Sequence, residues 1–320
     1  MTHTHGHIDC YSDHLLTMAE TSRYDPTRTT TLRNAFARAM RVRFTRIASL
    51  IYQAIVDQDC FGMQSTDLAV FQELPIRRAF AFTTSAEKVQ SFMAWLQEQV
   101  DRGILSVGTA RQLGQAAYSG WTDLYILDSY KRGVMRARQE LIRAGYDVPT
   151  IEQSGGIDAV MSNFFHMDRV GLIYIRAYNE LKGVTNAMAQ QISRVLAQGM
   201  ADGDGPRTIA RKLVTTITGQ GETLGIRDSL GRWIPAKRRA EMIARTEMIR
   251  AHHLANVQEY RNWGVLDIHV MAEWVSARDG RVCDVCASMD GQKFTLDEVE
   301  GMIPAHTNCR CMILPYEKGD

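Results

Sequence analysis

The strongest constraint on this chain is local. Between residues 278 and 315 it reads Arg-Asp-Gly-Arg-Val-Cys-Asp-Val-Cys and, after a spacer, Ile-Pro-Ala-His-Thr-Asn-Cys-Arg-Cys, closing at Pro315. Four of the six cysteines, Cys283, Cys286, Cys309 and Cys311, fall in that window with His306 between the pairs. Two thiols separated by two residues grip one tetrahedral ion from a single turn, and His306 with Cys309 offers a second pair at the same spacing. Cys311 is a fifth donor. In an extended segment alternate side chains share a face, so either Cys309 or Cys311 completes a set of four. The expectation is a closed structural zinc site, with buried free thiols and disulfides as the other uses of such a cluster. A catalytic zinc needs an open position and a carboxylate base, and Asp279, Asp284 and Asp290 read instead as turn residues around Gly280 and Gly291.

A chain of 320 residues with 45% apolar and 23% charged content is long enough for two lobes with separate cores. Its net charge of +1 supplies no whole-protein field toward nucleic acid or an anionic membrane, so any such contact must be local. The amino end, Met1 to His7, lacks the apolar core of a signal peptide, and no apolar run approaches bilayer-spanning length. A reducing cytosolic setting is therefore expected, which favours metal over disulfide. His3, His5 and His7 read as a flexible polar terminus rather than a chelate.

Periodicity predicts a mainly α fold with a small β-containing carboxyl-terminal region, an α+β chain. A first helix over 29–57 places Phe36, Met40, Phe44, Ile47 and Ile51 on one face. Arg38, Arg41 and Arg46 project away from that face. Arg33 and Arg43 fall on its apolar side and need partners, either an intramolecular carboxylate or a contacting molecule. Further helices are expected after Ser85, from Trp121 through Gly133, over 168–199, and from Pro206. The stretch 144–156, with Gly145, Pro149, Gly155 and Gly156, is the best boundary between a helical domain over 1–150 and a second domain over 157–320. Residues 218–235 hold four glycines without a period and read as a surface loop. A helix over 236–262 follows, with a bulky side and a stripe of Ala240, Ala244, Ala251 and Ala255 that admits another helix closely. Arg245 and Glu247 lie too near in sequence to face each other along it, so each must reach a different partner. Arg232, Lys237, Arg238 and Arg239, where the loop enters this helix, are candidate phosphate or partner contacts. A strand over 268–277 leads into the cysteine segment.

These motifs resemble the phage head-morphogenesis, or Mu F-like, minor head proteins. The likeness rests on Ala244-Arg245-Thr246-Glu247 in a helix, Gly264-Val265, Trp274 in a strand, Asp279-Gly-Arg-Val-Cys283-x-x-Cys286, and Pro304-x-His306-x-x-Cys309-Arg310-Cys311. Weaker likeness runs through the arginine-rich helix after residue 30 and the segments around Phe92 to Trp95 and Tyr130 to Gly133. Two departures stand out: Thr307 occupies a position commonly proline, and 218–235 is a local elaboration. The resemblance implies a non-enzymatic minor capsid component of a tailed phage, in the host cytoplasm during assembly and then inside the capsid near the portal vertex. It implies a role in head assembly and DNA packaging or ejection. The portal protein is the implied partner, with a major capsid or scaffold protein and phage DNA as others, and with no membrane or small-molecule substrate. Two alternatives are a metal-dependent nuclease of the His-Asn-His kind and a zinc-stabilised DNA-binding adaptor. The nuclease needs a histidine base facing a metal beside a phosphate, and adjacent His252 and His253 cannot both face one. The adaptor needs a basic face that the near-neutral charge does not favour.

Overall fold

The computed structural model describes residues 25–63, 85–105, 120–218, 225–227, 233–235, 238–264 and 270–317. Helices dominate: α1 Thr30–Tyr52, α2 Ser85–Val100, α3 Asp123–Arg143, α4 Ile157–Met161, α5 Phe164–Ala201, α6 Pro206–Thr218 and α7 Arg239–Gly264. The short helices α8 Asp284–Met289 and α9 Leu296–Val299 lie among the strands β3 Val270–Val275, β4 Lys293–Phe294 and β5 Met312–Glu317. These three form an antiparallel sheet in the order β4-β3-β5. The chain is mainly α with a small β region at the carboxyl end, as its periodicity implied. Among the described residues no helix is long and apolar enough to cross a membrane.

Two compact units divide the chain. The second comprises 37–121 and 177–240. Here Met40, Phe44, Ile47, Ile51 and Ile55 bury one face of α1 and its π-helical continuation, Gln53–Asp57, against which α6 packs. Gly203 (φ 71°) lets the chain turn between α5 and α6, and Pro206 opens α6 where its absent N–H loses nothing. The glycine-rich segment expected to be a loop contains a two-stranded ladder, β1 Gly225–Arg227 and β2 Trp233–Pro235, in antiparallel register with Ile226 opposite Ile234. Strands of three residues are too short to leave an alternation readable in sequence.

The first unit comprises 1–36, 122–176 and 241–320, so α1 and α5 each contribute to both units. The 144–156 stretch, read as a boundary, lies inside this unit as ordered turns. Arg138 explains why: its Nη1 donates to Pro149 O (2.8 Å) and Ser154 Oγ (3.0 Å), and Val148 is buried. Helix α7 is the unit's axis and is buried on nearly every face, which is why its 26 residues mix apolar and polar types without a clean stripe. The alanine stripe does admit a neighbour. On α3, a Cβ at Gly133 would come 2.6 Å from both Ala255 Cβ and His252 O, and Ser129 Oγ donates to Met248 O at 2.8 Å. We expect Gly133→Ala to cost about 2–3 kcal/mol, because backbone on the α7 side must retreat. A urea midpoint equal to that of the unmodified chain would refute this packing.

Polar groups lock the same helices. Arg138 of α3 ion-pairs with fully buried Glu259 of α7. His166 Nε2–H donates to the same carboxylate (3.2 Å), and so does Trp263 Nε1–H (2.9 Å). The Tyr130 hydroxyl sits 3.0 Å from His166 Nδ1. Burial works to raise the Glu259 carboxyl, but the hydrogen bonds from His166 and Arg138 hold it below its usual value.

Candidate metal centre

Strand β3 carries Trp274, fully buried, into the turn at Asp279 and Gly280. Cys283 is the extended residue before α8 and Cys286 lies in that helix's first turn, so both sulfurs project from one turn of chain. Helix α9 follows β4 under a capping box, with Glu298 N donating to Thr295 Oγ1 (3.3 Å) and Thr295 N to Glu298 Oε2 (2.8 Å). The cis Ile303-Pro304 bond and Asn308 at φ 66° shape the return loop that delivers His306, Cys309 and Cys311. Asparagine is among the few residues that tolerate that backbone region.

The five predicted donors converge. His306 Nε2 lies 3.1 Å from Cys283 Sγ and 3.1 Å from Cys286 Sγ, and Cys286 Sγ lies 4.0 Å from Cys309 Sγ. They form two overlapping groups, Cys283, Cys286 and His306, and Cys286, Cys309 and Cys311, each with donor atoms within 4.8 Å of one another. A tetrahedral zinc with sulfur bonds of about 2.3 Å has ligand edges of about 3.8 Å, so these spacings fit such an ion after small side-chain adjustments. His306 Nδ1–H donates to Thr307 O (2.7 Å), which leaves the Nε2 lone pair facing the sulfurs, the tautomer a metal ligand needs. The sulfurs are free thiols, buried at Cys286, Cys309 and Cys311 and half-buried at Cys283, with no disulfide among the described residues. Hydrogen bonds from Cys286 and then Cys311 pull the Cys309 thiol far below its ordinary value. The bond to Cys309 pushes Cys286 up. For Cys311 the bond with Cys286 lowers, but the bond with Cys309 and burial outweigh it and the thiol is raised.

The residues around the donors tie the two halves of the motif together. Asp279, read from sequence as a turn residue, receives a two-pronged bond from Arg310, Nη1 to Oδ2 at 2.6 Å and Nη2 to Oδ1 at 2.5 Å. Arg310 holds the Asp279 carboxyl well below the usual carboxylate range. The arginine between the two final cysteines thus clamps the turn that precedes the first two. Arg245 Nη1 donates to Asn308 Oδ1 (3.2 Å), and Asn308 N donates to Thr246 Oγ1 (3.4 Å), so helix α7 fixes the loop between His306 and Cys309. Glu247 is buried and pairs with Arg250 (3.6 Å), a different partner from that of Arg245, as their spacing required. His253 Nε2–H donates to Val299 O (2.9 Å) and Glu300 O (3.2 Å), tying α7 to the end of α9.

We expect Arg310→Met to lower metal affinity about tenfold or more, since outer partners of metal ligands commonly contribute that much. Competition with a chromophoric chelator measures it. Unchanged affinity would mean that the Asp279 clamp is unrelated to the cluster. The clamp was missed because an arginine between cysteines carries no pattern of its own; the acidic residue four positions before Cys283 was the available signal.

The basic candidates scatter. Arg33, expected as a contact for another molecule, is 6% exposed and pairs with Asp25 at 2.9 Å, the intramolecular carboxylate its apolar face demanded. Arg43 is half-buried with its guanidinium 4.0 Å above the Trp121 ring. Arg33 and Arg43 fall in different compact units, so they are not one patch of a single unit. Arg238 is exposed, Arg239 opens α7, and Arg232 and Lys237 lie outside the described residues.

The chain is mainly helical, and its carboxyl-terminal region carries a braced Cys/His cluster that could hold a metal ion. Residues 190–314, about two fifths of the chain, match the family described as Phage Mu protein F like protein. The match covers every motif from Arg245 to Cys311 and supports a phage head-morphogenesis protein in general. No curated protein and no solved structure matches the chain.

Proposed function

We propose that this chain is a minor structural component of a tailed-phage head, acting at the portal vertex and head interior during assembly and DNA packaging or ejection. In this reading the Cys/His cluster holds one zinc ion. Cys283, Cys286 and His306 supply three ligands and Cys309 or Cys311 the fourth, and the ion cross-links the sheet, α8 and the return loop without turning over a substrate. The observation that carries the reading is the family match over the braced knuckle. The internal bracing supports a structural role, because the Arg310 guanidinium and His306 Nδ1 spend their hydrogen bonds on neighbouring chain. Arg238, which is exposed, together with Arg232, Lys237 and Arg239 around the start of α7, is the proposed contact to phage DNA or the portal protein. A nuclease reading gains nothing from His252 and His253, which are both buried, or from His306, which faces the sulfurs.

Co-sedimentation with portal oligomers and with assembled heads tests the proposal. The chain should pellet with one or both, and recovery only as free protein would defeat the assignment. Incubating supercoiled DNA with magnesium or manganese tests the rival: cleavage abolished by His306→Ala would overturn the structural reading.

A further inference from the structure

The first unit gathers four arginines, Arg33, Arg245, Arg281 and Arg310, around three carboxylates, Asp25, Asp279 and Glu241. Arg33, in the first turn of α1, directs Nη2 to Asp25 (2.9 Å) and to Thr30 Oγ1 (2.8 Å), while its Nη1 is buried with no hydrogen-bond partner. Arg245 of α7 gives Nη1 to the neutral Asn308 side chain and makes no ion pair among the described residues; its Nε is likewise buried without a partner. Arg310 has both terminal nitrogens on Asp279, a carboxylate it shares with Arg281. The three guanidiniums are close enough to act on one another: Arg245 and Arg310 both bear on Arg33, and Arg310 bears on Arg245. Counting Arg281, four cations therefore meet three carboxylates, Asp25, Asp279 and Glu241, and Arg33 and Arg245 each keep one buried N–H without an acceptor. A buried N–H on a charged group without an acceptor is among the least favourable arrangements a fold can keep, so these donors are suited to an acceptor from outside the chain.

We propose that Arg33 and Arg245, beside the Asn308 loop, form a binding site for one small tetrahedral oxyanion of the phosphate class. A phosphate presents oxygens in several directions and so serves guanidiniums arriving from two separate elements, α1 and α7. A planar carboxylate is matched to one arginine fork, as Asp279 is to Arg310. Its second negative charge also answers the excess of cations. The burial of Arg33 favours a free phosphate or a terminal phosphate group over a nucleic-acid backbone, which cannot bring its phosphates so deep. The site goes beyond the head-assembly reading and does not depend on it.

The test uses the full-length chain as purified, without free zinc in the buffer because zinc phosphate is insoluble, and inorganic phosphate as the probe, at constant ionic strength set with sodium chloride. Calorimetry should show one phosphate site per chain, and about 20 mM phosphate should raise the melting temperature by about 3 °C over the chloride control. Arg245→Gln should abolish both signals and Arg245→Lys should retain part of them. Arg38→Gln, on the exposed side of α1, should leave both intact. Absence of heat and shift in the unmodified chain would overturn the proposal. So would equal phosphate binding by Arg245→Gln, or an equal shift from acetate. Should Arg245→Gln fail to fold, weakened phosphate binding by Arg245→Lys, read calorimetrically, decides the matter, and unchanged binding there counts against the site.

Discussion

Cys286→Ser is expected to remove bound zinc and to lower the melting temperature by about 10 °C or more. Cys286 is the donor common to both groups of three, so its loss breaks both, and no three of the four donors that remain lie within 4.8 Å of one another. Closed zinc sites contribute of order 10 kcal/mol to the folding of small metal domains, and each kcal/mol lost shifts the melting of a chain this size by about 2 °C. Metal analysis of the purified chain should give about one zinc, and serine at 286 should give almost none. The paired variants Cys309→Ser and Cys311→Ser then choose the fourth ligand, because the one that keeps its zinc is the spare. A chain that never carries metal, with unchanged melting in Cys286→Ser, would reduce the cluster to packed thiols.

The second large effect is acid lability. His252 and His253 sit side by side in α7, 1% and 2% exposed, and burial holds both imidazoles neutral. Burial, then the positive charge of Arg136, pushes His252 down to about 3. Burial pushes His253 down to about 4, against the opposing pull of the Val299 and Glu300 carbonyls. The sign follows from proton counting. Below the unfolded value of about 6.5 the unfolded chain binds protons that the folded chain refuses, so stability is full above about pH 6.5 and falls until the folded values are reached. At pH 5 each histidine withdraws about 2 kcal/mol, together about 4 kcal/mol out of a typical stability of about 5–15 kcal/mol. Urea midpoints at pH 7, 6 and 5 should show the decline. His252→Phe, which removes one titrating group and keeps the ring, should flatten the curve by about half and so separate this effect from acid release of metal. An unmodified chain equally stable at pH 7 and 5 would mean that the imidazoles are open to solvent.

Much of this molecule could be read before any coordinates. Thiols at two-residue spacing, with a histidine three residues ahead of the second pair, can meet only if the chain doubles back, and it does. The alanine stripe of α7 announced a close neighbour without saying which; Gly133 of α3 proved to be it. Arg33 on an apolar face demanded a carboxylate, yet no pattern singled out Asp25. The strands at 225–227 and 233–235 were invisible because three residues cannot establish a period.

The sequence alone determined the mainly helical fold with its β end, the five clustered Cys and His side chains and the likeness to a family over residues 190–314, because these depend on periodicity and spacing along the chain. Tertiary structure alone decided that Arg310 grips Asp279, that Arg245 and Thr246 hold Asn308, that both α7 histidines are buried, and that each compact unit is assembled from separated stretches. Those facts are set by which groups lose water together, and a hydrogen-bond partner 31 or 63 residues away leaves no trace in local order.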